Sequence, residues 1–325
     1  CFFSFAAGDH GASDVRTVRD SAKRTDRKRG ADDVEAGTYG AACRAFWNGG
    51  IGALVISSPG GEPQVVQKAG GKSMRETGRA WKAELLKMRH SGCYPMHIAG
   101  AVLPAVVFLC FYASSNWSVI LQVSGFFEAV GIAFPVVISI LCAKSVALEE
   151  VGHFQTFLGT TTRRAYAFLA KWMALLILAF FAVIGAVGIL AAGEWSFLKN
   201  TEIPLVVYAV SALLLWAGSI PLYAEHLFLN LRFSRAVSMG AAVTESLVSA
   251  LFLTGLGDGI WQFVPAAFGA RGSMTYVTVA LYPEADVYTK AQLWQSAVMG
   301  GLIGAAVCVI IMVWFHFYEG RHCDD

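Results

Sequence analysis

Between residues 97 and 318, apolar stretches of membrane-spanning length alternate with short charged connections, and Lys and Arg are concentrated on every second connection. Six stretches carry this pattern: residues 97–113, 119–142, 166–192, 203–224, 237–257 and 293–318. Each is long enough to cross a hydrocarbon core of ~30 Å, which takes roughly 17–25 helical residues. Continuous apolar runs such as residues 175–192 have no period-two alternation, so they cannot be barrel strands, and only helices satisfy their own backbone within a bilayer. The expected class is all-α. Composition agrees: 56% hydrophobic residues, 15% charged residues and a mean hydropathy of +0.54 describe a chain that needs lipid as its solvent.

The basic residues set an orientation, because Lys and Arg are retained on the cytoplasmic side. Arg75, Arg79, Lys82, Lys87 and Arg89 precede the first span; Lys144, Arg163, Arg164 and Lys171 follow the second; Arg232, Arg235 and Arg321 complete that side. The opposite side takes Lys199, Arg271 and Lys290. Twelve against three predicts six crossings with both ends of the membrane domain in the cytoplasm, hence a multi-pass protein of a cell membrane.

Three regions are expected. Residues 1–73 are Gly-rich with a basic run at residues 23–30, and read as a disordered or non-native extension, with Met74 as the expected native start. Residues 74–95 form an amphipathic interfacial helix, and residues 96–325 the six-helix membrane domain. Gly71-Lys72-Ser73 looks like the end of a phosphate-binding loop, but Val66 stands where the first glycine is required, so no nucleotide site is expected. The seven cysteines (Cys1, Cys43, Cys93, Cys110, Cys142, Cys308 and Cys323) form no CxxC or His/Cys ligand set. Neither disulfide nor metal is expected.

Two surface elements stand out. Trp81, Leu85 and Met88 share one face of the helix before the first span, with Arg79, Lys82, Lys87 and Arg89 around it. It either lies apolar side down among membrane lipids or simply leads into the span. The connection 144–164 is longer than a turn requires, and Ala147, Val151, Phe154 and Leu158 make a second apolar stripe beside Glu149, Glu150 and His153. It suits docking of another protein, or packing on its own neighbours.

These elements carry a resemblance. Lys82-Ala83-Glu84-Leu85-Leu86-Lys87, then Glu149-Glu150-Val151-Gly152-His153-Phe154-Gln155-Thr156-Phe157-Leu158-Gly159, Arg163-Arg164 and Lys171 resemble permeases of the second ABC exporter superfamily. Gly257-Asp258-Gly259-Ile260-Trp261-Gln262-Phe263-Val264-Pro265 is similar to the permeases of lantibiotic-immunity transporters, of the kind that protect producers of nisin, subtilin or mutacin. The resemblance spans residues 74–318. It implies a coupling helix, built from Glu149, Glu150, Val151, Gly152, His153, Phe154 and Phe157, that receives a separate ABC ATPase subunit. It also implies a second permease subunit or a homodimer, ATP bound only by the ATPase, no enzymatic activity in this chain, and expulsion of a cationic amphipathic peptide from the membrane. Nucleic acid is not an expected partner.

Ionisable groups inside spans cost about 2.5–3.5 kcal/mol on insertion scales. Glu128 and Glu245 therefore either line a translocation surface for a cationic peptide or bond to a neighbouring helix. Trp261, with Phe263 and Pro265, either contacts peptide or belongs to an interfacial aromatic belt. In the superfamily the stretch 260–270 is expected to form short re-entrant helices. Export of a lipid or polysaccharide shares this layout. A glutamate-type intramembrane protease would use Glu149-Glu150 and His226, but Phe154 stands where such a motif needs Arg. An ion-driven transporter would show repeated halves, and none is visible.

Overall fold

The structure is a computed structural model that describes residues 69–89, 91–151, 154, 157, 159, 164–282 and 287–318, with side chains from Gly78 onward and, in the last helix, from Lys290. Expectations that fall on residues 1–68 and on Gly152, His153 and Leu158 lie outside the described residues. Among the described residues every regular element is helical. The helices are α1 (Ala69–Arg89), α2 (Cys93–Ala113), α3 (Val119–Glu150), α4 (Arg164–Ser196), α5 (Leu205–Arg232), α6 (Arg235–Phe252), α7 (Pro265–Leu281) and α8 (Val287–His316), with short 3-10 turns at Gly255–Gly257 and Trp261–Phe263. Five of them, α2, α3, α4, α5 and α8, are long and apolar enough to cross a membrane. The chain is a polytopic, membrane-embedded protein.

Two apolar clusters fill the bundle. One gathers Met88, Leu141, Val146, Phe168, Leu227 and Phe315, from α1, the end of α3, the start of α4, and the ends of α5 and α8. The other gathers Tyr112, Phe126, Leu190, Tyr208 and Val277, from the end of α2, the start of α3, the end of α4, the start of α5, and α7. The two indoles Trp172 and Trp216 tie α4 to α5 reciprocally: Trp172 Nε1 donates to the Ile220 carbonyl at 3.3 Å and Trp216 Nε1 to the Leu176 carbonyl at 2.9 Å. Both polar tips thus find partners inside an otherwise apolar layer.

The largest departure from the sequence reading concerns residues 237–281. The expected fifth span, 237–257, is helical only to Phe252, and α6 is interrupted in hydropathy by Ser238, Thr244, Glu245, Ser246 and Ser249. The chain leaves the helix through a glycine-rich turn. Gly257 approaches the Phe252 carbonyl so closely that a Cβ would sit 2.3 Å from its oxygen, and Gly259 has φ +79°, so both positions require glycine. Pro265 then opens α7 at its first turn, where the missing N–H costs nothing.

Helix α7 packs into the bundle antiparallel to α5. Gly269 meets Gly218, Ser273 Oγ donates to the Ser211 carbonyl at 2.9 Å, and Val277 joins the cluster of Val207 and Tyr208. On its other side Ala270 meets Gly131 of α3. Small residues on three helices let the backbones approach closely, which is what apolar solvent leaves available to drive association. A 17-residue helix therefore begins within the stretch 260–270, where short re-entrant helices are expected, and runs on to Leu281 through what is otherwise expected to be an outward-facing loop. Arg271, expected in that loop, lies within α7. Its guanidinium donates to the Phe252 carbonyl at 2.8 Å and the Thr254 carbonyl at 3.1 Å and pairs with Asp258, capping the orphan carbonyls at the end of α6.

Helix α1 has its apolar face covered by the bundle. Met88 is fully buried and Trp81 and Leu85 pack against the first cluster, so the apolar face rests on the protein's own bundle, while Arg79, Lys82 and Arg89 are exposed. Gly71, Lys72 and Ser73 lie in the helical backbone of α1, not in a loop.

Candidate functional site

Two buried polar groups dominate the bundle. The first is a set of four charges that joins three helices. Lys171 of α4 has no exposed surface; its Nζ donates to Glu84 Oε2 of α1 at 2.7 Å and to Glu149 Oε1 of α3 at 2.9 Å. Lys87 of α1 donates to Glu84 Oε1 at 2.7 Å and to Glu149 Oε1 at 3.0 Å. Two cations and two carboxylates cancel, and each lysine bridges both acids. The Phe157 ring lies 5.1 Å from the buried Lys171 ammonium, adding a cation–π contact. Burial works against the Lys87 ammonium, but the carboxylates of Glu84 and Glu149 outweigh it and hold the group above the ordinary lysine range. A raised lysine contributes stability below its unfolded value that is lost only as pH rises through its folded one, so the contribution of Lys87 is fully present at neutral pH.

This set governs the expected coupling segment. Glu149 is buried and belongs to the ion network, and Phe154 and Phe157 face the core at 7% and 1% exposure. Phe154 has φ 58°, a left-handed backbone that turns the chain after α3, and its N–H donates to the Glu149 carbonyl at 3.0 Å. Of the apolar stripe, Val151 is the described residue that faces outward, at 86% exposure. Glu150 pairs with Arg235 at the start of α6. Arg164 Nη1 donates to the Tyr318 carbonyl at 2.7 Å and Tyr318 Oη to the Leu231 carbonyl at 3.0 Å, so the start of α4 and the ends of α5 and α8 share this end of the bundle.

The second group lies among α3, α5 and α6. His226 is fully buried; its Nε2 lies 3.1 Å from Glu245 Oε2 and its Nδ1 3.1 Å from Ser238 Oγ. Ser238 Oγ also meets Ser139 Oγ at 2.9 Å and accepts from Asn230 Nδ2 at 2.8 Å. Protonated at Nε2, the imidazole donates to the Glu245 carboxyl and accepts the Ser238 hydroxyl at Nδ1, so both ring nitrogens are engaged. Glu225, adjacent in α5, sets its carboxyl beside that of Glu245.

The sequence singled out Glu245 and, for the protease alternative, His226, but not their pairing or the part of Ser139 and Ser238. Asn230 and His226 are four residues apart on one helical face, and this spacing of polar residues within an apolar span was the available signal. Glu128 of α3 is half-buried, and the charge that reaches it is that of Arg271 in α7. It belongs neither to the four-charge set nor to the His226 group. Trp261 is 1% exposed, buried within the bundle, whereas Phe263 is 48% exposed. The acids and histidine of the protease alternative fall into different groups: both Glu149 oxygens face Lys87, one also faces Lys171, and His226 is engaged by Glu245.

No protein-family model matches this chain, no curated protein is significantly similar to it, and no solved structure matches it.

Proposed function

We propose that the chain is the permease subunit of an ABC exporter that expels a cationic amphipathic peptide from the membrane. It crosses six times, with α6 and α7 together making the fifth passage and both ends in the cytoplasm. The observation that carries this reading is the mooring of the α3–α4 connection. The four-charge set ties its base to α1 and α4, Phe154 and Phe157 anchor it in the core, and Val151 stands out from it. A rigidly held projection with an exposed apolar residue is suited to pass the motion of a separate ATPase into the helices. The basic ends that converge there support its cytoplasmic placement. The intramembrane acids support a cationic cargo. A second permease subunit, or a second copy, completes the pore.

Replacing Val151 with Glu is expected to reduce co-purification of a co-expressed ABC ATPase subunit by about tenfold, as loss of a central apolar contact does. Permease abundance and thermal stability should stay unchanged because the residue is exposed. Undiminished association removes the coupling assignment. Separately, Glu245→Gln and Glu128→Gln are each expected to lower peptide export several-fold, measured as cell-associated peptide in producers with equal permease levels. Full protection in both variants rules out an acidic cargo path.

Proteolysis by Glu149 and His226 is disfavoured by the lysines that occupy the Glu149 carboxylate, since a general base needs free access to a water.

A further inference from the structure

Helix α6 brings little apolar surface to the bundle. Its buried residues are Ser238, Ala242 and Ser249, while Val237, Val243, Leu247 and Leu251 face outward. With one small apolar side chain turned inward, and lipid outside that is itself apolar, burial does little to hold the helix in place. Polar contacts hold it instead. Ser238 meets Ser139 of α3 and both Asn230 and His226 of α5, and Glu245 Oε2 lies 3.1 Å from His226 Nε2.

The contact at Glu245 sets a condition on charge. Glu225 of α5 holds its carboxyl within hydrogen-bonding reach of that of Glu245. Ionised carboxylates only accept, so the two can bond to each other only while one of them carries a proton. Protonated Glu225 then donates to the Glu245 carboxylate, which also accepts from His226 Nε2, and a single negative charge is met by two donors. Without that proton two carboxylates stand side by side, with the Glu245 side chain 16% exposed, and they repel. The cations on the packed elements are engaged elsewhere. Arg235 at the start of α6 pairs with Glu150 of α3, and Arg271 of α7 pairs with Asp258 beyond the end of α6 and is the charge that reaches Glu128 of α3. Lys144 of α3 reaches toward Gly92, and Arg232 of α5 lies over the Phe233 ring. Cys142 of α3 donates to the Tyr223 carbonyl of α5.

We propose that Glu225 and Glu245 share one proton that clasps α6 to α5, and that its loss as pH rises releases α6 from the bundle. The docked helix holds a proton that the released helix gives up, so docking weakens by about tenfold per pH unit once the proton leaves. The clasp does not depend on the transport reading above.

Hydrogen–deuterium exchange of the full chain, purified in detergent without cargo or ATPase, tests this. The window runs from about pH 5 to about pH 9, above the ordinary glutamate value and below the ordinary lysine value, with rates corrected for intrinsic exchange. In the wild type, protection of the α6 amides is expected to fall by about tenfold or more across the window while that of α4 stays level. Glu225→Gln, whose amide donates to Glu245 at every pH, should keep α6 protected throughout. Glu245→Gln accepts from His226 Nε2 and donates to Glu225, and should behave the same way. Level protection of α6 in the wild type overturns the clasp whatever becomes of the variants. So does a loss that α4 shares equally, or a fall of the wild-type size in either variant.

Discussion

Replacing Lys171 with methionine is expected to destabilise the purified protein by about 3–5 kcal/mol, because removing one member of a buried ion set leaves the others uncompensated. The side chain has no exposed surface, and its ammonium is bonded to Glu84 and Glu149. After its loss two buried carboxylates face one ammonium. Methionine keeps the packing against Phe157, so the effect reports charge rather than a cavity. Thermal unfolding in detergent measures it, and adding Glu149→Leu is expected to recover much of the loss by restoring neutrality between Glu84 and Lys87. The double-mutant cycle then gives the coupling directly. A single variant that melts with the wild type would show that α1, α3 and α4 hold together without these charges. Lys87→Met should cost less, since its side chain is 30% exposed and water can replace part of the bond.

Gly218→Val is expected to cost about 3 kcal/mol, at the upper end for overpacking in a dense interior. A Cβ there would lie 2.5 Å from the Gly269 nitrogen and 2.7 Å from its Cα, and these are backbone atoms that no rotamer change can move aside. Helix α7 must shift away from α5, and the Ser273 bond to the Ser211 carbonyl breaks with it. Gly131→Val should act similarly, because its Cβ would meet Ala270 at 2.5 Å. Gly301→Ala is the control: nothing lies within 4 Å of the new atom, so stability should not fall. If Gly218→Val melts like Gly301→Ala, the close packing of α7 on α5 is wrong. A disulfide formed between Ser211→Cys and Ser273→Cys gives an independent measure of the same contact.

The five long apolar helices could be read directly, because a spanning backbone must satisfy its own hydrogen bonds and the apolar run that allows this is contiguous. Their ends were less legible. Helix α3 runs on to Glu150 rather than stopping at residue 142, because Ser145 and Glu149 are buried against α1 and α4 instead of facing water. The full length of helix α7 was hidden for a related reason, since only its first residues fall in the stretch 260–270 expected to be helical. Gly269, Arg271, Gly272, Ser273 and Thr275 have the composition of a loop, and only their small-residue faces against α3 and α5 make the segment a packed helix. The recurrence of Ala266, Ala270, Ser273 and Val277 at helical spacing was the signal that hydropathy averaging erased.

The candidate sites divide the same way. Glu245 and Glu128 stand out in any apolar segment, because charge in lipid is costly wherever its partner lies. That Glu245 meets His226, while Glu128 feels Arg271, follows from how α6 and α7 fold back after the glycine-rich turn. Phe154 and Phe157 have the pattern of a docking face, and both are buried by a left-handed turn at Phe154 that periodicity does not register.

Helical class, membrane residence and the long apolar spans are properties of contiguous residues, since each helix pairs its backbone locally and each span is sorted by its own transfer energy. The pairing of Lys171 with Glu84, 87 residues away, is not. Coulombic attraction and close packing depend on distance in space, and that distance is set only when the helices choose their neighbours.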